Sequence, residues 1–229
     1  MVNGTLSQKQ HILALAPNWL GDAAMCTPAL RALHRRYPEA HFIVAGRESV
    51  CALLEDLPWI NHLIPLPPKP SLSRMRQLAT GMRYPQLELV TVFPHAFRSA
   101  LLAWLIGGRQ RLGYARNGRQ WLLTRSKAPY REAGRITPIY MAREYLELVE
   151  LADCKDDGKG LELGVCPNCE KELADQLDDT LPLIGVAPGA AFGPSKRWLP
   201  ENFAATINNI ADAREARFLL LTGPGEEAL

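Results

Sequence analysis

Two turns carry the side chains best suited to chemistry. The first, Pro17-Asn18-Trp19-Leu20-Gly21-Asp22, lies between an apolar run and a helical pattern. In an open α/β sheet such a turn falls at the carboxyl edge of the strands, where ligands bind. Gly21 permits close backbone approach, and the amides opening the next helix offer contacts to an anion. Asp22 has two readings here. It can cap the helix by accepting orphan N–H bonds, or act as a general base that takes a proton from an attacking hydroxyl. Spacing alone favours the cap. The turn lacks the G-x-G-x-x-G spacing of a dinucleotide fingerprint.

The second turn runs from Gly189 to Pro200 (GAAFGPSKRWLP) and also follows a strand and precedes a helix. Small residues, with Gly189 and Gly193 among them, let the backbone come close to a ligand. Ser195 adds a hydroxyl, and Lys196 and Arg197 add positive charge, a set that suits a diphosphate. The G-x-x-x-x-G-K-[ST] spacing of a Walker loop is absent. The competing reading is a glycine-proline loop whose basic residues are merely solvated.

Three further features are weaker. Between Ala96 and Arg135 stand nine basic residues (Arg98, Arg109, Arg111, Arg116, Arg119, Arg125, Lys127, Arg131, Arg135) against one acidic residue, Glu132. This is either a solvated face or a landing surface for an acidic glycolipid and an anionic bilayer leaflet. Trp104, Tyr114, Trp121 and Tyr130 are interleaved, a mixture that also suits nucleic acid. Cys166-Pro167-Asn168-Cys169 has C-x-x-C spacing but no second pair nearby, so an incidental pair is favoured over a metal or redox site. His95 follows a strand at the ligand edge, where it is a candidate for the wall of an acceptor pocket or a structural histidine.

These residues need a scaffold, and the chain supplies one. At 229 residues with 47% hydrophobic, it can bury one large core and part of another. A net charge of +2 gives no global electrostatic signature, so a charged partner must meet a local patch. No apolar run reaches the roughly 20 residues that span a bilayer, the N-terminus does not read as a secretion signal, and five irregularly spaced cysteines suit reduced thiols in the cytoplasm.

β-rich runs alternate with helical patterns, which predicts an α/β fold with parallel sheets covered by helices. Strands are expected at 11–16, 41–45, 62–64, 87–93, 183–187 and 217–222, with a short one in RLGY. Helices are expected near 23–37, Val50 to Leu54, 72–82, 96–106, 138–151, 170–177 and 202–211, with another opening after Gly223. The polar stretch Asp153 to Gly160 is the best interdomain boundary, giving domains 1–160 and 161–229. Two strands and about two helices cannot cover both faces of a doubly wound sheet, so the second domain is expected to be incomplete.

Four segments, in this order and at this spacing, resemble one family. PNWLGDAAMCTPALRALHRRYP is similar to the first βα unit of the ADP-heptose:lipopolysaccharide heptosyltransferases (glycosyltransferase family 9). RLGYARNGRQWLLT and TPIYMAREYLELVELA resemble that family's central segment and the helix before its linker. PGAAFGPSKRWLPENFA resembles the G-x-x-[FY]-G-x-[AS]-K-R-W-P phosphate loop of its heptosyltransferase II branch. Leu199 stands where that pattern has proline, with Pro200 one place later.

The resemblance implies a GT-B architecture of two Rossmann-like domains, the second cut short here, and transfer of heptose with inversion from ADP-heptose to an inner-core heptose of lipopolysaccharide. It makes Asp22 the general base, and places Ser195, Lys196 and Arg197 on the donor diphosphate with Gly21, Gly189 and Gly193 as loop backbone. Asn18, Trp19, His95, Arg98, Arg116 and Arg119 become candidates for binding a heptosyl-Kdo-lipid A type acceptor. No cofactor or metal is implied beyond a divalent cation assisting the diphosphate. Nucleic acid is disfavoured, and the implied place is the cytoplasmic face of the inner membrane, held peripherally. The alternatives are a related family member with another core acceptor or nucleotide sugar, and an inactive piece that binds only the acidic glycolipid.

Overall fold

Apolar runs without alternation, such as HILAL and LELVTV, make strands buried on both faces. Together with more exposed strands they form the six-stranded main sheet: β1 (His11–Leu15), β2 (His41–Gly46), β3 (His62–Pro65), β4 (Leu87–Val92), β5 (Gln110–Tyr114) and β6 (Arg125–Lys127). Their order is β3-β2-β1-β4-β5-β6, and every pairing is parallel. The computed structural model describes residues 9–166, 168, 171, 180–190 and 194–223.

β1 is the middle of this sheet. It pairs with β2 from His11↔His41 to Leu15↔Ala45, and with β4 on its other side, where the register shifts between His11 and Ile12. Ile12, Leu13 and Ala14 have no exposed surface. Alternate side chains feed two cores. Ile12 and Ala14 meet α1 (Leu20–Arg36), α2 (Glu48–Leu54) and α5 (Met141–Val149) on one face. Leu13 and Leu15 meet α3 (Leu72–Gly81) and α4 (Phe97–Ile106) on the other.

Local chemistry sets the helix ends. Ser71 caps α3 by accepting the Arg74 N–H at 3.2 Å. Gly107, at φ 85°, closes α4 in the left-handed conformation that a Cβ disfavours. α1 begins three residues before the expected start and passes through Pro28 without breaking. Pro28 has no N–H to offer the Ala24 carbonyl four residues back. The Thr27 hydroxyl donates to that carbonyl instead, at 2.8 Å.

Two elements between β5 and α5 were not expected from sequence: the edge strand β6 and a small antiparallel hairpin, β7 (Arg131–Glu132) and β8 (Arg135–Ile136). Ala133 and Gly134, both at positive φ, form its two-residue turn. α5 is shorter than expected and continues as a 3-10 turn, Glu150–Ala152.

The chain divides between Val165 and Cys166, five residues beyond the expected boundary. The polar stretch taken for a linker is strapped to α1. The Arg31 guanidinium, buried on the back of that helix, donates to both carboxylate oxygens of Asp157 (Nε–Oδ2 3.0 Å, Nη2–Oδ1 2.7 Å), to Glu162 at 2.8 Å and to the Gly160 carbonyl at 3.0 Å. Arg35 adds a second cation 3.2 Å from Asp157. The Glu162 N–H donates to the Thr27 hydroxyl that bridges the proline gap.

In the second unit, β9 (Leu183–Val186) and β10 (Arg217–Leu220) pair in parallel, and α6 (Pro200–Ala213) lies between them in the chain. None of the side chains of α6 is buried among the described residues. The helix expected at 170–177 and the one expected after Gly223 lie outside the described residues, apart from Lys171 and Gly223 themselves. No described helix is long and apolar enough to cross a membrane.

The strap has a pH signature. Hydrogen bonds from Arg31 hold the Asp157 carboxyl well below the usual carboxylate range. A depressed folded value means that the stabilisation is complete above a pH of about 4 and is lost as pH falls toward the folded value. Asp157→Asn is expected to lower unfolding free energy by about 3 kcal/mol at pH 7. In thermal melts the gap between variant and wild type should narrow steadily below pH of about 4. A gap of the same size at pH 7 and pH 3 would show that charge does not hold the strap.

Candidate functional site

The strands of the first unit leave β1 in two directions, toward β2 on one side and β4 on the other. That reversal opens a crevice beyond the carboxyl ends of β1 and β4. The β1–α1 turn and the β4–α4 turn flank it, and they carry Asn18, Trp19, Asp22 and His95.

Asp22 lies in the first turn of α1, where a carboxylate is favoured by the helix dipole. It is not the cap residue. Trp19 holds that place, with no side-chain hydrogen bond to the helix. The half-buried Asp22 carboxylate makes no hydrogen bond or ion pair among the described residues. Its charge is felt by two neighbours. Burial, then Asp22, pushes the Cys26 thiol up; burial, then Cys26, Asp22 and Glu144, pushes the Tyr145 hydroxyl up. Gly21 is exposed, and a Cβ there would meet nothing of the protein.

The α5 side of the crevice holds a charged cluster. Glu144 is 3% exposed, and its Oε1 accepts from Arg116 Nη2 at 3.0 Å and lies 3.2 Å from His95 Nε2. Arg116 Nη1 stands 3.4 Å from His95 Nδ1. Burial works to raise the Glu144 carboxyl, but His95 and Arg116 outweigh it and hold the group below its ordinary value. Tyr114 donates its hydroxyl to the Glu144 carbonyl at 2.7 Å, which ties α5 to the end of β5. Asn117 donates to the His95 carbonyl at 2.9 Å. Sequence reasoning found His95 and Arg116 but missed Glu144. The available signal was an acidic side chain in the same helical stripe as Tyr145, Leu148 and Val149.

On the α3–α4 side, the proline-rich loop after β3 closes a cavity of about 330 Å³. Asn18, Arg47, Lys69 and Arg98 stand around it, above a floor that includes Met75, Leu78 and Leu102. The Arg98 guanidinium donates to the Pro70 carbonyl, which fixes it against this loop. Trp19, Phe97 and Trp121 keep large rings in solvent, and the last two lie 6.2 Å apart.

The nine basic residues of 96–135 do not form one face, which corrects the expectation of a single landing surface. Arg119 is fully buried and donates to the Tyr114 and Ala96 carbonyls, each at 3.0 Å, and to that of Pro94. Burial, then Arg116, pushes its guanidinium down to about 10. It therefore fixes the turns around His95 instead of facing an acceptor. Arg111 donates to the Leu122 and Gly108 carbonyls. Lys127 pairs with Glu147 and Glu150. Arg109 and Arg125 sit at the amino ends of β5 and β6, away from the crevice. Arg131 and Arg135 project on the exposed hairpin.

In the second unit the phosphate-loop candidate falls between β9 and α6. Ser195 and Lys196 end a 3-10 turn, Pro194–Lys196, and both are exposed with Arg197. Arg197 Nη2 donates to the Ala190 carbonyl at 3.4 Å, across the base of the loop. Leu199 is the N-cap of α6 and Pro200 its first residue, where a fixed φ suits the helix and no N–H is needed. The one-place shift of proline thus leaves a regular helix start beside the cations. Gly189 is half-buried, whereas Gly193 lies outside the described residues, as does Cys169 of the C-x-x-C pair.

A family model for glycosyltransferase family 9 (heptosyltransferase) matches residues 75–228. The chain is 32% identical over 203 residues to lipopolysaccharide heptosyltransferase 2 of Salmonella typhimurium, covering 84% of this chain and 58% of that protein. It is 29% identical over 213 residues to the Escherichia coli protein of the same name, covering 88% and 60%. Its backbone is similar to the solved structure of E. coli ADP-heptose LPS heptosyltransferase II, with a TM-score of 0.75 at 28% identity over 92% of this chain and 64% of that one. The chain spans about three-fifths of the length of these curated relatives.

Arg119 gives a direct test of how the crevice is held. Removing a buried cation that binds three carbonyls is expected to cost about 3 kcal/mol. Arg119→Met should therefore lower the melting temperature by roughly 6–12 °C. Arg98→Met, at an exposed position, should move it by no more than about 2 °C. Equal shifts in the two variants would remove the distinction drawn between them.

Proposed function

This chain belongs to glycosyltransferase family 9, the heptosyltransferases, and from that membership we propose that it transfers heptose from ADP-heptose to the inner-core heptose of lipopolysaccharide, with inversion at the anomeric carbon. Asp22 takes the proton of the acceptor hydroxyl as that oxygen bonds to the anomeric carbon. The bond from the same carbon to the ADP oxygen breaks in that same displacement, and ADP leaves with the electron pair. The observation that carries this reading is the Asp22 carboxylate, at the ligand edge of the sheet with no hydrogen bond or ion pair among the described residues. A carboxylate engaged in capping would be a poorer base; this one is available.

Each unit supplies its own loop. In the first, Asn18, Trp19, His95, Arg98 and Arg116 receive the heptosyl-Kdo-lipid A type acceptor. The cavity beneath Arg98 supports that assignment, because three cations around an apolar floor suit an acidic glycolipid. In the second, Ser195, Lys196 and Arg197 hold the donor diphosphate, and Lys196 offsets charge growing on the departing ADP. A divalent cation has no larger part than assisting that diphosphate.

Asp22→Asn is expected to lower turnover of ADP-heptose by about 10²–10⁴-fold while the dissociation constant for ADP-heptose changes by less than about twofold. A variant that keeps more than about a tenth of the wild-type rate would remove Asp22 from the role of base.

The acceptor is a lipid, so we also propose peripheral contact with the anionic inner leaflet at the cytoplasmic face. Arg131 and Arg135, with exposed Tyr130 and Ile136 beside them, are the basic and apolar side chains best placed for it. Retention on vesicles containing phosphatidylglycerol should exceed that on pure phosphatidylcholine and fall with salt. Equal retention on both would overturn this part of the reading.

A further inference from the structure

A buried carboxylate needs a reason. Glu144 lies on α5 among residues that pack against the core, where an apolar side chain would fill the space without the several kcal/mol that desolvating a charge costs. Its two partners are less buried than it is. The Glu144 side chain is 4% exposed, against 19% for Arg116 and 24% for His95, both of which reach the carboxyl edge. The arrangement runs inward from the crevice, with the accessible groups outside and the anion that holds them inside.

The partners are fixed from several directions. Arg116 is bound to Glu144, lies 3.4 Å from the His95 ring and stands over the Tyr114 ring at 5.9 Å. The His95 ring meets Tyr114 edge-on at 5.7 Å. Its backbone carbonyl is bound by Asn117, and Arg119 binds the carbonyls on either side. Glu144 is itself placed by the Tyr114 hydroxyl on its carbonyl. The charge count matters as well. Arg116 is offset by Glu144, so its remaining N–H groups are directional donors on a paired, not a free, cation. That suits the hydroxyls of a sugar ring, whereas the cavity around Arg47, Lys69 and Arg98 suits the anionic part.

We propose that Glu144 is a positioning residue of the acceptor site: its carboxylate, with the His95 ring packed between, presets Arg116 so that the remaining N–H groups of its guanidinium hydrogen-bond the hydroxyls of the acceptor's terminal sugar. The proposal rests on the acceptor reading given above for this edge of the sheet. A preset arginine loses less conformational freedom when a ligand arrives, so releasing it weakens binding by about tenfold.

The test is calorimetry on the whole chain with the acceptor oligosaccharide freed of its fatty acyl chains, and separately with ADP. Glu144→Gln, which keeps shape but removes charge, is expected to weaken oligosaccharide binding by about tenfold and leave ADP binding unchanged. Glu144→Asp, one methylene too short to reach both partners, should give the same loss and serves if the glutamine variant does not fold. In the Arg116→Gln background, Glu144→Gln should cause less than about a twofold further loss, because the two act as a unit. Unchanged oligosaccharide affinity in a folded Glu144 variant would overturn the positioning role. So would losses that multiply in the double variant, or an equal loss of ADP affinity, which marks a general structural effect. A wild-type chain that does not bind the oligosaccharide overturns the acceptor reading itself, an outcome visible before any variant is made.

Discussion

Everything described at the carboxyl edge depends on β1 being hydrogen-bonded on both sides, to β2 and to β4. A strand with one partner would leave an edge. A strand with two, from which the chain departs first one way and then the other, leaves a gap above its end that no crossover fills. The turns after β1 and β4 are forced to face each other across that gap. Asp22 and His95, some seventy positions apart in the chain, come to the same edge of the sheet because of a ladder of backbone hydrogen bonds that neither side chain touches.

α1 serves as the beam that carries this arrangement outward. Its first turn presents Asp22, its buried stripe joins the core, and its far end anchors the strap through Arg31. Pro28 is a weak point in such a helix, and Thr27 repairs it with one hydroxyl that donates to Ala24 and accepts from Glu162. A single side chain thus closes a gap inside the helix and ties the strap to it. The strap makes the stretch before Val165 part of the first unit.

Charge is used here in ways that composition conceals. Of the basic residues between Arg98 and Arg135, some bind backbone carbonyls inside the unit, some pair with glutamates of α5 and its continuation, and some lie at the wrong end of the strands. Arg116 and Arg98 alone among them stand at the crevice, each held by a different partner, Glu144 for one and the Pro70 carbonyl for the other. One arginine is thus held by a buried carboxylate and the other by a loop carbonyl.

The order of the main strands and helices of the first unit and the family were legible in the residues themselves, whereas the edge strand β6 and the β7–β8 hairpin were not. Apolar runs, glycine stops and the KRW loop are local signals, read within about a dozen positions. What the linear chain could not disclose were relations between distant positions. Arg119 looked like its basic neighbours, yet the fold buries it, because three carbonyls converge there, two of them from a turn more than twenty residues away. Glu144 looked like one more surface glutamate on a helix, yet α5 turns it inward toward Arg116 and His95. The polar stretch from Asp153 looked like a linker, and it became a strap because Arg31 waits for Asp157 on a helix more than a hundred residues earlier. Asp22 changed too: the chain left it between cap and base, and the fold gives the cap position to Trp19 and leaves the Asp22 carboxylate without a hydrogen bond or ion pair among the described residues. Local propensity decided most of the elements. Which charges are buried, paired or left open was decided only when those elements packed, because desolvation and hydrogen-bond partners belong to places in space and not to positions in the chain.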